Sequence, residues 1–476
     1  MVIVTIVADD LVPLPGVRLA DPAACAGPDA LDARAEVHVI AIVRSAALAA
    51  LAAFALGTAA PTAAAQTLTS VERRLVAAAE AQVPGAIALL ETLVEINSGT
   101  MNLEGVRRAG EVMRRELEPL GFAVRWVPMD EVQRAGHLVA EHAGTGRGKR
   151  MLLIGHLDTV FEKDSPFQEF VRKGDIAEGP GANDMKDGLA IMIAALRAME
   201  KADTLKPAHI TIVLSGDEER VGRPIAVARR DMREAARRSD VALEFESLAQ
   251  EDGRDMGSVA RRSSSGWDVA VTAKSGHSSG VFSDDPGFGA AYEMARILDA
   301  FRRELREPDA TFNVGLLASG ATATIDEAEA HGAITGKTNI VPATALARGD
   351  LRTLSNEQTE RIRRRMREIV AGSLSGAKAE ISFEDRYPAM PPTQGNRALL
   401  GKLNEVNAKL GLPEMGELPP IERGAGDIAF VADLLDGLIG FGAVGKGSHA
   451  PGETVDLSSF ERQIERAALF MTALAQ

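Results

Sequence analysis

Two short runs of unbroken apolar residues, each leading straight into ionisable side chains, most limit what this chain can become. Arg150-Met151-Leu152-Leu153-Ile154-Gly155 runs into His156-Leu157-Asp158, and His209-Ile210-Thr211-Ile212-Val213-Leu214 runs into Ser215-Gly216-Asp217-Glu218-Glu219. A strand without polar alternation is covered on both faces, as in the interior of a parallel or mixed sheet. Between the two runs, Gly188–Met199 reads as an apolar helix. Strand, helix and strand in that order indicate an α/β domain. Residues just beyond the carboxyl ends of such strands open onto the crevice where ligands bind.

The flanking sequence predicts the rest of the architecture. Ser70–Val94 is helical in period and is split by Pro84. A second helix runs from about Leu103 to Leu120 and stops at Gly121, followed by a strand over Phe122–Val127. From about Gly266 the texture changes. Trp267–Ala273 alternates, Pro286–Arg303 is helical, Ala345–Leu351 is a strand and Asn356–Ala371 is a basic helix. Two strand–helix pairs within this stretch describe a small α+β insert. The expected organisation is a catalytic domain over residues 66–261 and 383–476, interrupted by an inserted domain over 262–382. The basic stretch Arg229–Arg238 reads as a solvated helix face. Met185, Met192 and Met199, seven apart, read as core packing.

Residues 1–65 read as an address. Arg44 precedes an uncharged Ala/Leu run from Ser45 to Leu56, and small residues follow up to Ala65. A basic flank, a short apolar stretch and an A-x-A site describe a cleaved secretory signal, with cleavage expected after Ala65. The apolar part is shorter than the ~20 residues a membrane span needs, so no stable membrane insertion is expected. The acidic stretch ahead of Arg44 departs from the basic leader of such signals, and a start codon placed upstream of the true one accounts for it. Loss of these residues takes the formal charge from −14 to −11 and removes Cys25, the one cysteine. An acidic surface repels phosphate, which argues against a nucleic-acid partner. Without other cysteines there is neither an internal disulfide nor a thiolate metal cluster.

Five separated segments then carry the chemistry: His156-Leu157-Asp158; Asn183-Asp184 in the loop Gly179–Gly188; Asp217-Glu218-Glu219; Glu244-Phe245-Glu246; and Gly447-Ser448-His449. Singly they are weak. His-x-Asp is an ordinary loop pair, Asp184 an ordinary helix cap, and three adjacent acids an ordinary solvated turn. Together they supply imidazole and carboxylate ligands without thiolate, which suits zinc, cobalt or manganese in an open catalytic site. No G-x-S-x-G elbow is present for serine catalysis.

This set resembles the two-zinc metallopeptidases that include glutamate carboxypeptidases, acetylornithine deacetylase, succinyl-diaminopimelate desuccinylase and the aminoacylases. The likeness runs from about Gly85 to the C-terminus, includes Glu91–Thr100, and is nearest to the periplasmic glutamate carboxypeptidases. It implies a mixed-sheet di-zinc exopeptidase fold with an inserted α+β lid or dimerisation domain, and export to the periplasm. It implies two Zn²⁺ per subunit, with Co²⁺ or Mn²⁺ as substitutes. Asp184 would bridge both ions, His156 and Glu246 would complete one shell, and Glu219 and His449 the other. Glu244 competes with Glu246, which the Leu-x-Phe-Glu pattern favours. Asp158 would orient His156, and Glu218 would be the general base. His277, in Ser275–Gly280, would reach the other subunit's site and stabilise the oxyanion, which implies a homodimer through the lid. Asn339, Arg352 and the loop carrying Gly424 and Gly426 would hold the substrate's free carboxylate.

The ligands report amide hydrolysis and leave the accepted side chain open. Arg254 stands where glutamate carboxypeptidases carry a lysine, and Arg386 lies one residue from a position where they carry an arginine. Two such cations would favour a C-terminal glutamate, released from a folate-like or N-acyl conjugate. The alternative is an N-acyl-amino-acid deacylase of hydrophobic preference. A scaffold that kept the fold and lost activity is disfavoured, because all five ligands and Glu218 are present.

Overall fold

A computed structural model describes residues 67–326 and 331–476; the expected signal, residues 1–65, lies outside the described residues. The catalytic part is built on five longer strands: β1 (Ala123–Met129), β2 (Arg134–His142), β3 (Arg150–His156), β4 (His209–Ser215) and β5 (Val241–Glu244). They form one sheet in the order β1-β2-β4-β3-β5, with Gly437–Ile439 added beyond β5. β1, β2 and β4 pair antiparallel, whereas β4, β3, β5 and the last strand run parallel. The sheet is mixed, as the apolar runs require.

Alternate residues of these strands enter different cores. Met151, Leu153, Ile210, Ile212 and Leu214 face the helices Ser70–Glu80, Val83–Val94, Lys186–Lys201 and Phe460–Leu474. Leu152, Ile154 and Val213 face Met232, Ala235, Ile428 and Phe430 on the other side. Both faces are covered along β3 and the second half of β4, so polarity does not alternate there; the start of β4, with His209 and Thr211 partly exposed, is the exception. Pro84 lies in the first turn of Val83–Val94, where its missing N–H costs nothing. Met192 and Met199 are core residues, as their spacing predicts.

Register sets up the site. His156 pairs with Ser215, and Ile154 with Glu244. The loops bearing Asp158, Glu218 and Glu246 therefore leave three neighbouring strands at the same edge.

The insert has its own core of Trp267, Val269, Ile297, Phe301, Leu351, Ile362 and Met366. Strands Ser264–Ala273, Thr344–Arg352 and Ala377–Tyr387 pair antiparallel, with helices Gly289–Glu304 and Asn356–Ala371 packed on them. Arg261 and Met390 pair where the chain enters and leaves the insert. The strand Ala377–Tyr387 crosses residue 382, so the expected boundary there falls inside an element. Among the described residues no single helix is long and apolar enough to cross a membrane.

Candidate metal centre and active site

β3 ends at His156, whose ring is fixed by a local bond. Nδ1 lies 3.0 Å from the Asp158 main-chain carbonyl. A carbonyl only accepts, so Nδ1 carries the proton and Nε2 keeps its lone pair for a ligand. The Asp158 carboxylate, expected to do this orienting, stands farther off at 3.6 Å. It is used instead by the neighbouring loop, accepting the N–H groups of Glu218 (2.9 Å) and Glu219 (3.1 Å) and the Thr100 hydroxyl (2.6 Å). Asp158 thus ties the β3 loop to the β4 loop that carries the acidic pair.

Around Asp184 the candidates assemble in two sets. Oδ1 is 3.1 Å from His156 Nε2, and Oδ2 is 3.1 Å from His449 Nε2. Glu246 Oε1 comes within 3.4 Å of His156 Nε2, and Glu219 Oε2 within 3.1 Å of His449 Nε2. One carboxylate therefore faces two imidazoles, each flanked by a further acid. Glu244 is committed elsewhere: it accepts the Ile428 N–H at 2.8 Å and pairs with Arg261 Nε at 3.1 Å.

Electrostatics favour cations in this donor set. Burial pushes the Glu219 carboxyl up to about 7, and Asp184 pushes it the same way. Burial also raises Glu218 well above the carboxylate range, and Glu219, Asp427 and Glu246 add to the rise although His156 opposes it. Burial works against the Asp184 anion, but hydrogen bonds from His156 and His449 outweigh it and hold its pKa low. Glu219 Oε1 is buried with no partner among the described residues. Crowded acids with an orphaned oxygen, facing two imidazoles and no thiolate, fit two divalent ions of the zinc class.

The loops holding these groups are themselves braced. His449 sits at φ +67°, a left-handed conformation that costs about 1–2 kcal/mol. The turn that imposes it is closed by the Ala450 N–H on the Gly447 carbonyl at 3.1 Å. Four residues on, the fully buried Glu453 carboxylate accepts the N–H groups of Asn183 (2.7 Å), Asp184 (2.9 Å) and Gly181 (3.3 Å). Glu453 joins the His449 segment to the Asp184 loop. Asp187 plays a similar part, accepting the Ala443 N–H at 2.7 Å. Beneath the Glu218 loop, the buried Arg229 pairs with Asp217 (2.5 Å) and Asp427 (2.8 Å). Arg229 therefore belongs to the interior and not to the solvated face expected for its stretch. Tyr387, the last residue of the insert's strand, donates its hydroxyl to the Glu218 carbonyl and packs on Phe430 with ring centroids 5.1 Å apart.

A cleft of about 570 Å³ opens over this centre, bordered by Asp184, Glu218, Glu219, Glu246 and His449 and by the arginines 261, 352, 386 and 423. A neighbouring groove of about 660 Å³ shares Glu219, Arg386 and Tyr387. Of the expected substrate contacts, Arg352, Arg386 and Gly424 line the cleft. Gly426 packs on Arg261, whose guanidinium a side chain there would strike. Arg254 does not join them. It donates to the Glu414 carbonyl at 2.9 and 2.7 Å in a separate surface groove, because its short strand pairs with the C-terminal part of the chain and not with the insert. His277 and Asn339 are exposed neighbours on the insert, the Ser278 N–H donating to the Asn339 carbonyl at 3.0 Å, and neither borders this cleft. His137, His142 and His209 bond to main-chain carbonyls, as residues without a surrounding motif should.

Sequence reasoning passed over Glu453, Arg229, Tyr387 and Arg423. Glu453 and Arg423 had local signals, an acid four residues beyond a candidate ligand and an arginine directly before the Gly424–Gly426 loop; Arg229 and Tyr387 meet the site through long-range packing.

Comparison with known proteins identifies the family and the fold. The sequence profile described as peptidase family M20/M25/M40 matches residues 152–475. Carboxypeptidase G2 of Pseudomonas sp. (strain RS-16) is 29% identical over 406 residues, 82% of this chain and 89% of that protein. A succinyl-diaminopimelate desuccinylase of Acidiphilium cryptum (strain JF-5) is 26% identical over 395 residues, 80% of this chain and 95% of that protein. Among solved structures, the Bacillus subtilis YxeP protein, titled a dinuclear metal-binding peptidase, superposes with a TM-score of 0.56 at 18% identity, covering 83% of this chain and 98% of that one.

Proposed function

The chain belongs to peptidase family M20/M25/M40, a family of metal-dependent hydrolases, and on that premise we propose that it is a two-zinc exopeptidase releasing a C-terminal glutamate from folate-like or N-acyl conjugates. The observation that carries this reading is Asp184, with one carboxylate oxygen on each of two imidazoles and Glu218 in the same cleft. His156, Asp184 and Glu246 would hold one ion, and His449, Asp184 and Glu219 the other. Ions held by these residues would supply Lewis acidity, lowering the pKa of a water and polarising the scissile carbonyl. Cobalt or manganese would serve as substitutes.

Glu218 is the general base. It takes the proton of the attacking water and returns it to the leaving amine nitrogen, so no covalent enzyme intermediate is needed. Arg352 meets the substrate's free carboxylate bidentately, and the Gly424–Gly426 loop offers main-chain N–H groups to the same anion. Arg386 adds positive charge on the side of the released residue. His277 and Asn339 are assigned to the cleft of a second subunit, where His277 stabilises the oxyanion and Asn339 contacts the substrate carboxylate. Their joint exposure on the insert supports a homodimer through that domain. Residues 1–65 would direct export to the periplasm. The domain limits proposed are 66–261, 262–387 and 388–476, with the second boundary moved from 382 to the end of the strand Ala377–Tyr387.

The test is release of free glutamate from methotrexate or folate by zinc-loaded protein lacking residues 1–65, with an EDTA control and N-acetyl-leucine alongside. EDTA-sensitive glutamate release is the expected result. Cleavage of N-acetyl-leucine alone would instead establish the deacylase of hydrophobic preference.

A further inference from the structure

Four arginines border the cleft, and three have carboxylate partners. Arg261 pairs with Glu244 at 3.1 Å and Glu246 at 3.5 Å, Arg352 with Asp350 at 3.1 Å, and Arg386 with Glu384 at 3.0 Å. Arg423 has no carboxylate within ion-pair distance among the described residues. One of its terminal nitrogens donates to the Ser247 carbonyl at 2.7 Å, and its Nε is buried with no acceptor. Ser247 follows the candidate ligand Glu246, so this bond fixes the guanidinium beside the metal centre. The loop behind it is held in turn, because Arg261 donates to the Ala425 carbonyl. Burial and the nearby Arg261 charge lower the Arg423 pKa, against the opposing pull of the Glu246, Glu244 and Asp184 carboxylates.

We propose that Arg423 is the specificity-determining residue of the cleft and pairs with the side-chain carboxylate of an acidic C-terminal residue, while Arg352 takes the α-carboxylate. This rests on the exopeptidase reading above. The exposed Arg386 cannot discriminate as strongly. Its side chain is half in water and already neutralised by Glu384, and such pairs are worth little. Arg423 is only partly exposed, and its buried Nε lacks an acceptor, so it behaves differently. A substrate that supplies an anion satisfies that donor, whereas a neutral isostere leaves the positive charge unpaired. Selectivity for glutamate over glutamine follows from that asymmetry.

The experiment is steady-state kinetics on N-benzoyl-glutamate, -glutamine and -leucine with the zinc-loaded chain, its Arg423→Met variant and its Arg423→Lys variant, with zinc content measured for each. The parent should favour glutamate over glutamine in kcat/KM. Arg423→Met should lower kcat/KM for glutamate by on the order of 10- to 100-fold while glutamine changes little, with two zinc ions retained. Arg423→Lys, which keeps a point charge, should retain part of the ratio and reads the same quantity if the Met variant folds poorly. Equal losses on all three substrates would assign Arg423 to the α-carboxylate or to structure and overturn the proposal. An unchanged glutamate-to-glutamine ratio, or a parent with no such preference, would overturn it while leaving the exopeptidase reading intact. Absence of metal-dependent hydrolysis of every conjugate by the parent would overturn both.

Discussion

Replacing Glu453 by Gln should weaken zinc binding although Glu453 is not a ligand. One carboxylate oxygen accepts the Asn183 and Asp184 N–H groups and the other accepts that of Gly181. A Gln oxygen can keep the first two bonds. Its NH₂ then faces the Gly181 N–H, so the third bond is lost. Burial pushes the Glu453 carboxyl up to about 7, so the comparison is made at pH 8 or above, where it is an anion. Hydrogen bonds to charged groups contribute roughly 1.5–3 kcal/mol and neutral ones about 1. The third bond is long and the weakest, so losing it and demoting two others sums to about 2–3 kcal/mol. An independent guide gives a similar figure: removing partners that orient ligands costs 10- to 100-fold in metal affinity, about 1.4–2.7 kcal/mol. Zinc affinity, measured by competition with a chelator, should therefore fall roughly 30-fold. Excess zinc should restore turnover, and the far-ultraviolet circular dichroism should match that of the parent. A zinc affinity within about threefold of the parent, in a folded variant, would refute the view that Glu453 braces the two ligand loops.

Three further substitutions test other parts of the centre. Glu218→Gln should keep both metals and lose on the order of 10²- to 10⁴-fold in kcat; near-parental turnover would exclude Glu218 as the base. Tyr387→Phe removes only the hydroxyl donated to the Glu218 carbonyl. At about 1 kcal/mol for that bond, kcat should drop roughly fivefold with KM and metal content unchanged, and an unaltered kcat would show that the contact does not position the base. Arg229→Met strands the buried carboxylates of Asp217 and Asp427, and denaturant unfolding should report a loss of about 3–5 kcal/mol. A loss below about 1 kcal/mol would mean those acids find other partners.

The sheet and its chemistry were legible because they are local. Apolar runs over 151–154 and 210–214, each ending in ionisable residues, specify buried strands that open onto a crevice, and the register of β3, β4 and β5 brings those ends together. The strand Ala377–Tyr387 was equally legible, since Ala377, Ala379, Ile381 and Phe383 alternate with polar residues, yet it was passed over. What could not be read were partnerships across distance. Arg229 in a run of arginines looks solvated until Asp427, almost two hundred residues on, meets it in the interior. Arg423 directly precedes the Gly424–Gly426 loop assigned to the substrate carboxylate and could have been read from that position, whereas nothing around Arg254 shows that its strand turns away to the C-terminal part of the chain. The imidazole of His156 meets the main-chain carbonyl of Asp158 and not its carboxylate, a choice of oxygen that main-chain geometry makes and a sequence does not display.

With Glu218 as the proposed base, the contact between Tyr387 and the Glu218 carbonyl would tie the inserted domain to proton transfer. The hydroxyl sits at the end of the insert's last strand, and the carbonyl belongs to the main chain of Glu218 itself. Any swing of the insert about its Arg261–Met390 neck must stretch or break that bond. Grafting a foreign insert onto this scaffold would therefore have to reproduce an aromatic hydroxyl at that spot, seated on Phe430. Excising the insert would leave the acidic loop without one of its tethers even if the remaining sheet stayed folded.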